Sequence, residues 1–195
     1  MIGNSIAIAA GYLKEGFVVG IPTKTVYGLA GNAFCERALT RIFKIKRRPY
    51  EDPLIVHCAH KTAVLPLVSA WPQEADMLAK AFWPGALTLL LPKRDLVPGL
   101  VTAGRSRVAV RVPSHPMTQR LLQALSFPLA APSANPFGYI SPTTAHHVAD
   151  QLGDALPYIL DGGAAALGLE STIVGFDRGE VIVYRLGGIS VEAIE

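Results

Sequence analysis

STIVGFDRGEVIVYR, Ser171 to Arg185, holds two strand-like runs, STIVGF and VIVYR, parted by only four residues. Parallel neighbours need a crossover of a dozen or more residues, so two strands this close cannot both belong to an all-parallel sheet wound through helices. Upstream, helical and extended patterns interleave, with no internal repeat or long linker. The reading that satisfies both is α/β: a single domain over residues 1–195, with a twisted, mixed and largely antiparallel sheet and flanking helices.

Working outward, YIL (158–160), PLAAP (128–132), RVAVRVP (107–113), ALTLLLP (86–92), LIVHC (54–58) and FVVGIP (17–22) read as further strands. Helices are expected from Ile6, capped by Asn4 or Ser5 and stopped by Gly16, and over ERALTRIFKIKR from Glu36. Others are expected over PQEADMLAKAF from Pro72, from about His115 to Leu125, and from about Thr143 to Leu152. In the second of these, Leu39, Ile42 and Phe43 form the apolar stripe, while Arg37, Arg41, Lys44 and Arg48 fall on another side.

With 195 residues, half of them hydrophobic and 17% charged, the chain has a globular composition. Cys35 and Cys58 are too few for a disulfide framework and lack zinc-ribbon spacing, which points to a reducing cytoplasm. The N-terminus lacks a basic n-region and a clean apolar core, and no run reaches membrane-spanning length, so a soluble protein is expected. A net charge of +3 and a pI near 9.0 suit anionic ligands or nucleic acid without choosing between them.

Absent motifs remove whole enzyme classes: there is no G-x-x-x-x-G-K-[ST], no G-x-G-x-x-G after a strand, no H-E-x-x-H and no G-x-S-x-G. The five histidines are scattered, and no histidine-based metal site is expected. Three segments remain. PTKTVYGLAG (22–31) sets two hydroxyls at the end of a buried strand, before an expected helix, where α/β sheets place ligands; capping of that helix by Thr23 or Thr25 is the plain alternative. APSANPFGYISPTT (131–144) is a proline-stiffened loop of hydroxyls and amides that could hold phosphate oxygens, or simply a turn. GGAAALGLEST (162–172) allows close backbone approach, or is a flexible loop. Two single residues stand beside them. His57 ends an apolar strand and could be a satisfied core histidine. Arg111 shares a strand face with Ala109 and requires an anionic partner.

In this order, PTKTVYGLAG, KIKRRPYEDPLIVH (44–57), WPGALTLLL (83–91), VAVRVPSHP (108–116), PLAAPSANPFGYISPTT (128–144) and GLESTIV (168–174) resemble the YrdC family, the threonylcarbamoyl-AMP synthases of tRNA modification. The resemblance runs from about residue 5 to about residue 190. It implies a YrdC-like fold with a concave basic face. The implied activity condenses L-threonine, bicarbonate or CO2, and ATP into L-threonylcarbamoyladenylate and pyrophosphate, with Mg2+ accompanying ATP. A separate transferase complex then modifies tRNA.

Carried over residue by residue, the resemblance implies a threonine site at Thr25, His57, Arg111, Ala131 and Ser171. It implies an ATP site at Lys46, Arg48, Asp52, Ser133, Asn135, Ser141 and Arg185, with Lys46 and Arg48 acting on the phosphates. Lys24 and Asp52 depart from the family's usual glutamate and asparagine, and Asp52 suggests a carboxylate for Mg2+. The chain ends soon after YRLGGIS and resembles the family's short form, or a long form cut at the domain boundary before the additional domain of longer relatives. Two other readings stand beside this one: an RNA-binding module using Arg37, Arg41, Lys44, Arg47 and Arg48, and the carbamoyl-adenylate-forming part of a hydrogenase-maturation protein.

Overall fold

A computed structural model describes residues 1–177 and 179–195. Its strands are β1 (Ile2–Gly3), β2 (Val19–Ile21), β3 (Gly28–Asn32), β4 (Ile55–His57), β5 (Leu87–Pro92), β6 (Arg107–Arg111), β7 (Leu129–Ala130), β8 (Ile159–Leu160), β9 (Thr172–Asp177) and β10 (Glu180–Arg185). Its helices are α1 (Ile6–Lys14), α2 (Glu36–Lys46), α3 (Lys61–Val64), α4 (Gln73–Phe82), α5 (Gly99–Thr102), α6 (Pro116–Gln123) and α7 (Ala145–Leu152). The strands join one sheet in the order β1-β8-β2-β3-β7-β4-β6-β5-β9-β10. Pairing is mixed: β4 with β6 and β5 with β9 run parallel, whereas β5 with β6 and β9 with β10 run antiparallel. The late strand pair read from Ser171 to Arg185 is therefore a β-hairpin at the sheet edge.

Alternation along the strands sorts the core. Ala130, Val56, Val110, Leu89 and Val174 point to one face, where they pack with Leu39, Ile42 and Phe43 of α2 and Ala75 and Leu78 of α4. The opposite face is covered only in part. Ala9, Ala10 and Leu13 of α1 and Leu121 and Leu122 of α6 close over Val19, Ile21, Ala30 and Leu129. Where those two helices end, the same face of β4, β6, β5 and β9 turns Ile55, Ala109, Leu90 and Ile173 toward a cavity.

Two local features differ from the sequence reading, and between them the expected caps hold. PTKT is followed by a strand, not a helix: β3 pairs antiparallel with β2 through Val19–Ala30 and Ile21–Gly28, so neither Thr23 nor Thr25 caps anything. Ser5 does cap α1 and Thr144 caps α7, each accepting from the backbone N–H three residues on. Lastly, α2 ends one residue early because Arg47 adopts a left-handed conformation, φ 51°. That state disfavours a residue with a Cβ by roughly 1–2 kcal/mol, and here it turns the chain so that Lys46 and Arg48 go separate ways.

Candidate functional site

The cavity, of about 600 Å3, lies on the bare half of the sheet and is walled by the loops after β2, α2 and β7 and before β9. At its inner end sits Arg111, buried at 4% exposure. It is paired in register with His57 on one side and Thr88 on the other. Its Nε donates to the Gly85 carbonyl at 2.9 Å and its Nη1 to Thr25 Oγ1 at 2.9 Å. Thr23 Oγ1 donates to the Val26 carbonyl, so across the 2.7 Å contact between the two threonines it is Thr25 that donates to Thr23. The Thr25 hydroxyl thus has one lone pair left, and toward a ligand it can only accept.

Two buried polar atoms at this end have no partner among the described residues: Arg111 Nη2 and His57 Nδ1. Leaving such groups unpaired costs about 1–3 kcal/mol each, more for a charge, so they mark a place built for an oxygen-rich anion. Burial, reinforced by the neighbouring Arg111 charge, lowers the His57 pKa to about 3, and the imidazole is neutral. Burial likewise lowers Arg111 to about 10, opposed by the negative charge of Glu170; it stays a cation.

The loop after β7 forms another wall. The Ala131 N–H bonds to the Ile55 carbonyl, leaving its carbonyl as the backbone group able to meet a ligand, and Ser133 bridges to Gly28. Arg48 lines the cavity while its Nε and Nη2 donate to the Asp52 and Pro53 carbonyls and its guanidinium pairs with the Asp52 carboxylate at 2.9 Å. Across the cavity, Arg185 donates to the carbonyl and hydroxyl of Ser171, whose hydroxyl also meets buried Thr88 at 2.8 Å. Burial lowers the pKa values of both Arg48 and Arg185.

Of the residues expected from the sequence, Thr25, Arg48, Asp52, His57, Arg111, Ala131, Ser133, Ser171 and Arg185 line this one cavity. Three do not. Lys46 is buried at 1% exposure, and its ammonium donates to the Ser133 and Asn135 carbonyls at 2.5 Å each, behind the loop; the expectation that it faces phosphate is corrected to that of a strut. Burial lowers its pKa to about 8. The Asn135 amide donates to the Pro136 and Tyr139 carbonyls and so holds the loop's own turn. Ser141 reaches the wall indirectly, donating to Glu170 Oε1 at 2.8 Å. Lys24 is exposed and outside the cavity, so its charge does not enter the lining.

The sequence reading missed Glu170, Thr88, Arg105, Arg107 and Tyr184. Glu170 stood in the quoted GLEST, and Thr88 was legible as a lone hydroxyl in an apolar strand. Together the lining carries five arginines, Arg48, Arg105, Arg107, Arg111 and Arg185, against two carboxylates, Asp52 and Glu170. Such a concavity concentrates anions. Among the described residues no group of three or more His, Cys, Asp or Glu could hold a metal, and no helix is long and apolar enough to cross a membrane.

A family profile described as telomere recombination, Sua5_yciO_yrdC, matches residues 11–187. Threonylcarbamoyl-AMP synthase of Pyrococcus abyssi (strain GE5 / Orsay) is 47% identical over 190 residues, covering 97% of this chain and 56% of that protein. The enzyme of the same name from Bacillus subtilis (strain 168) is 46% identical over 191 residues, covering 97% and 55%. A crystal structure of P. abyssi Sua5 complexed with L-threonine superposes with a TM-score of 0.97 at 44% identity, covering all of this chain and 59% of that one. The chain thus spans a little over half the length of these relatives.

Proposed function

The chain belongs to the Sua5–YciO–YrdC family, and we propose that it is a threonylcarbamoyl-AMP synthase: a nucleotidyltransferase that condenses L-threonine, bicarbonate or CO2, and ATP. The observation that carries this reading is the inner end of the cavity. There a buried arginine fork with a free Nη2 lies beside a neutral histidine with a free Nδ1 and a threonine hydroxyl restricted to accepting. An α-amino acid fits that set: carboxylate on Arg111, ammonium or hydroxyl hydrogen toward Thr25.

The threonine amine, once deprotonated, adds to CO2 and forms a carbamate. A carbamate oxygen then attacks the α-phosphate of ATP, a new P–O bond forms, and the bond to the β-phosphate breaks as pyrophosphate leaves. No protein nucleophile is needed. This chain's residues orient the two substrates and stabilise charge that builds on the phosphates, with Arg48 and Arg185 on opposite walls and Ser133 on the loop between. Lys46 keeps that loop in place.

Mg2+ is proposed to accompany ATP, since it is held by one or two carboxylates together with substrate phosphates, and Asp52 and Glu170 are the carboxylates on the wall. It would neutralise phosphate charge. The product is proposed to serve threonylcarbamoyladenosine formation on tRNA by a separate transferase, in the cytoplasm, which suits the free thiols Cys35 and Cys58. The RNA-module reading loses part of its surface. Arg37 and Arg41 are tied to the Glu15 and Gly16 carbonyls, Arg48 faces inward, and only Lys44 and Arg47 of that stripe remain exposed and without such ties.

Pyrophosphate release by the purified protein, without RNA, tests the proposal. Release requires threonine and bicarbonate together. Release indifferent to threonine would sink it, as would salt-sensitive RNA binding with no release.

A further inference from the structure

Thr88 is a hydroxyl in a leucine strand, fully buried and outside the cavity lining. It pairs in register with Arg111 on β6 and with Ile173 on β9. Residues opposite one another share a sheet face, so Thr88 lies under the inner end of the cavity. Among the described residues its Oγ1 meets one polar group, the Ser171 hydroxyl at 2.8 Å. Packing alone gives no reason for a hydroxyl at that place, since a buried polar group is unfavourable unless it is bonded.

Counting hydrogens gives the contact a direction. Arg185 Nη2 donates to Ser171 Oγ at 3.0 Å and occupies one of its two lone pairs. If Ser171 donated to Thr88, the Thr88 hydrogen would be buried with no acceptor among the described residues, a loss that the opposite direction avoids. Thr88 therefore donates, and both lone pairs of Ser171 Oγ are filled. Ser171 lines the cavity with its own hydrogen unclaimed, so toward a ligand it can only donate. Thr25, whose hydrogen goes to Thr23, is the reverse case and can only accept.

We propose that Thr88 is a positioning residue for the amino-acid substrate: it locks Ser171 as a donor to an oxygen of L-threonine, a second donor in addition to Arg111 Nη2. This rests on the threonine site read above and deepens it. Two buried threonines, Thr23 and Thr88, then set the polarity of Thr25 and Ser171 in opposite senses, one hydroxyl accepting and one donating, as a ligand with an ammonium and a carboxylate requires. The effect of Thr88 falls on binding. In the empty cavity water can reach a Ser171 lone pair that has lost its partner, whereas a bound amino acid displaces that water and strands it.

Calorimetric titration of L-threonine into wild type, Thr88→Val, Thr88→Ala, Thr88→Ser, Ser171→Ala and the double variant Thr88→Val with Ser171→Ala tests it, with a thermal melt of each. Thr88→Val and Thr88→Ala, which remove the hydroxyl at two different side-chain volumes, should each bind threonine about three- to tenfold more weakly, the range for one hydrogen bond. Thr88→Ser, which keeps the donor, should stay within about twofold of wild type. In the Ser171→Ala background Thr88→Val should change the affinity by less than about twofold, because the group through which it acts is gone. An equal loss in both backgrounds would make Thr88 a packing residue and overturn the lock. Wild-type affinity in Thr88→Val and Thr88→Ala would overturn it too, and so would a Thr88→Ser as weak as Thr88→Val. Each of these leaves the synthase reading standing, since wild type still binds threonine; a wild type with no threonine affinity sinks both.

Discussion

Lys46 and Arg48 stand two residues apart in one basic motif and act in different directions. The Arg48 guanidinium reaches the cavity, whereas the Lys46 ammonium is buried behind the loop and holds the Ser133 and Asn135 carbonyls. Lys46→Met removes the donor from both carbonyls and should lower the stability of the ligand-free protein by about 1–3 kcal/mol, measured by urea denaturation. A lysine facing only phosphate would leave that stability unchanged. Arg111 is the opposite case, a residue whose free donor awaits a ligand. Arg111→Ala should weaken threonine binding by about 2–5 kcal/mol in calorimetry, with ATP affinity little altered; wild-type threonine affinity in the variant would make Arg111 purely structural. Arg111 was legible because a charge in an alternating apolar strand must meet an anion. The direction of Lys46 was not, since KIKRR gives charge but not the left-handed turn at Arg47 that separates its two ends.

Among the elements, those with a strong period were legible and those without were not. RVAVR alternates, and its faces fall as the alternation requires, while the Leu-rich β5 is legible as a continuous apolar run. β3 is GLAGN, with no β-branched or aromatic residue, and only its pairing to β2 and β7 makes it a strand. Gly31 is needed there because a Cβ would press within 3.2–3.3 Å of Val18, just before β2, and of Ala38 and Ile42, two side chains of α2. The basic stripe of α2 reads from sequence as a solvated face, yet Arg41 lies over the Phe17 ring at 4.3 Å and donates to the Gly16 carbonyl at 2.8 Å, pinning α2 to the end of α1. Arg41→Ala should therefore destabilise the protein by about 1 kcal/mol, a thermal-denaturation measurement, while Lys44→Ala, exposed one residue group further on, should stay within about ±0.5 kcal/mol. Equal, negligible effects at both positions would restore the stripe as a free basic surface.

At the scale of the whole molecule, one uncovered half of a sheet face accounts for both the cavity and the way stability should respond to acid. The sequence carried the mixed sheet in its closely spaced late strands, but which face α1 and α6 would leave open depends on strand order, which no local pattern encodes. That open face carries His57 and Arg111 side by side on parallel strands, both buried. Desolvation and the Arg111 charge lower the His57 pKa from 6.5 to about 3 in the folded protein. In the unfolded chain the same imidazole takes up a proton below pH 6.5. The unfolded state then binds more protons than the folded one, so His57 contributes stability that is full above pH 6.5 and is lost as pH falls toward 3. The slope reaches about 1.4 kcal/mol per pH unit. His57→Gln removes this titration and keeps a polar side chain. Wild type should lose about 2 kcal/mol more than His57→Gln between pH 6.5 and pH 4.5, compared by denaturation at matched ionic strength. Parallel pH profiles would mean that the imidazole charges freely in the folded state, and the inner end of the cavity would then be open to water rather than shaped around a carboxylate.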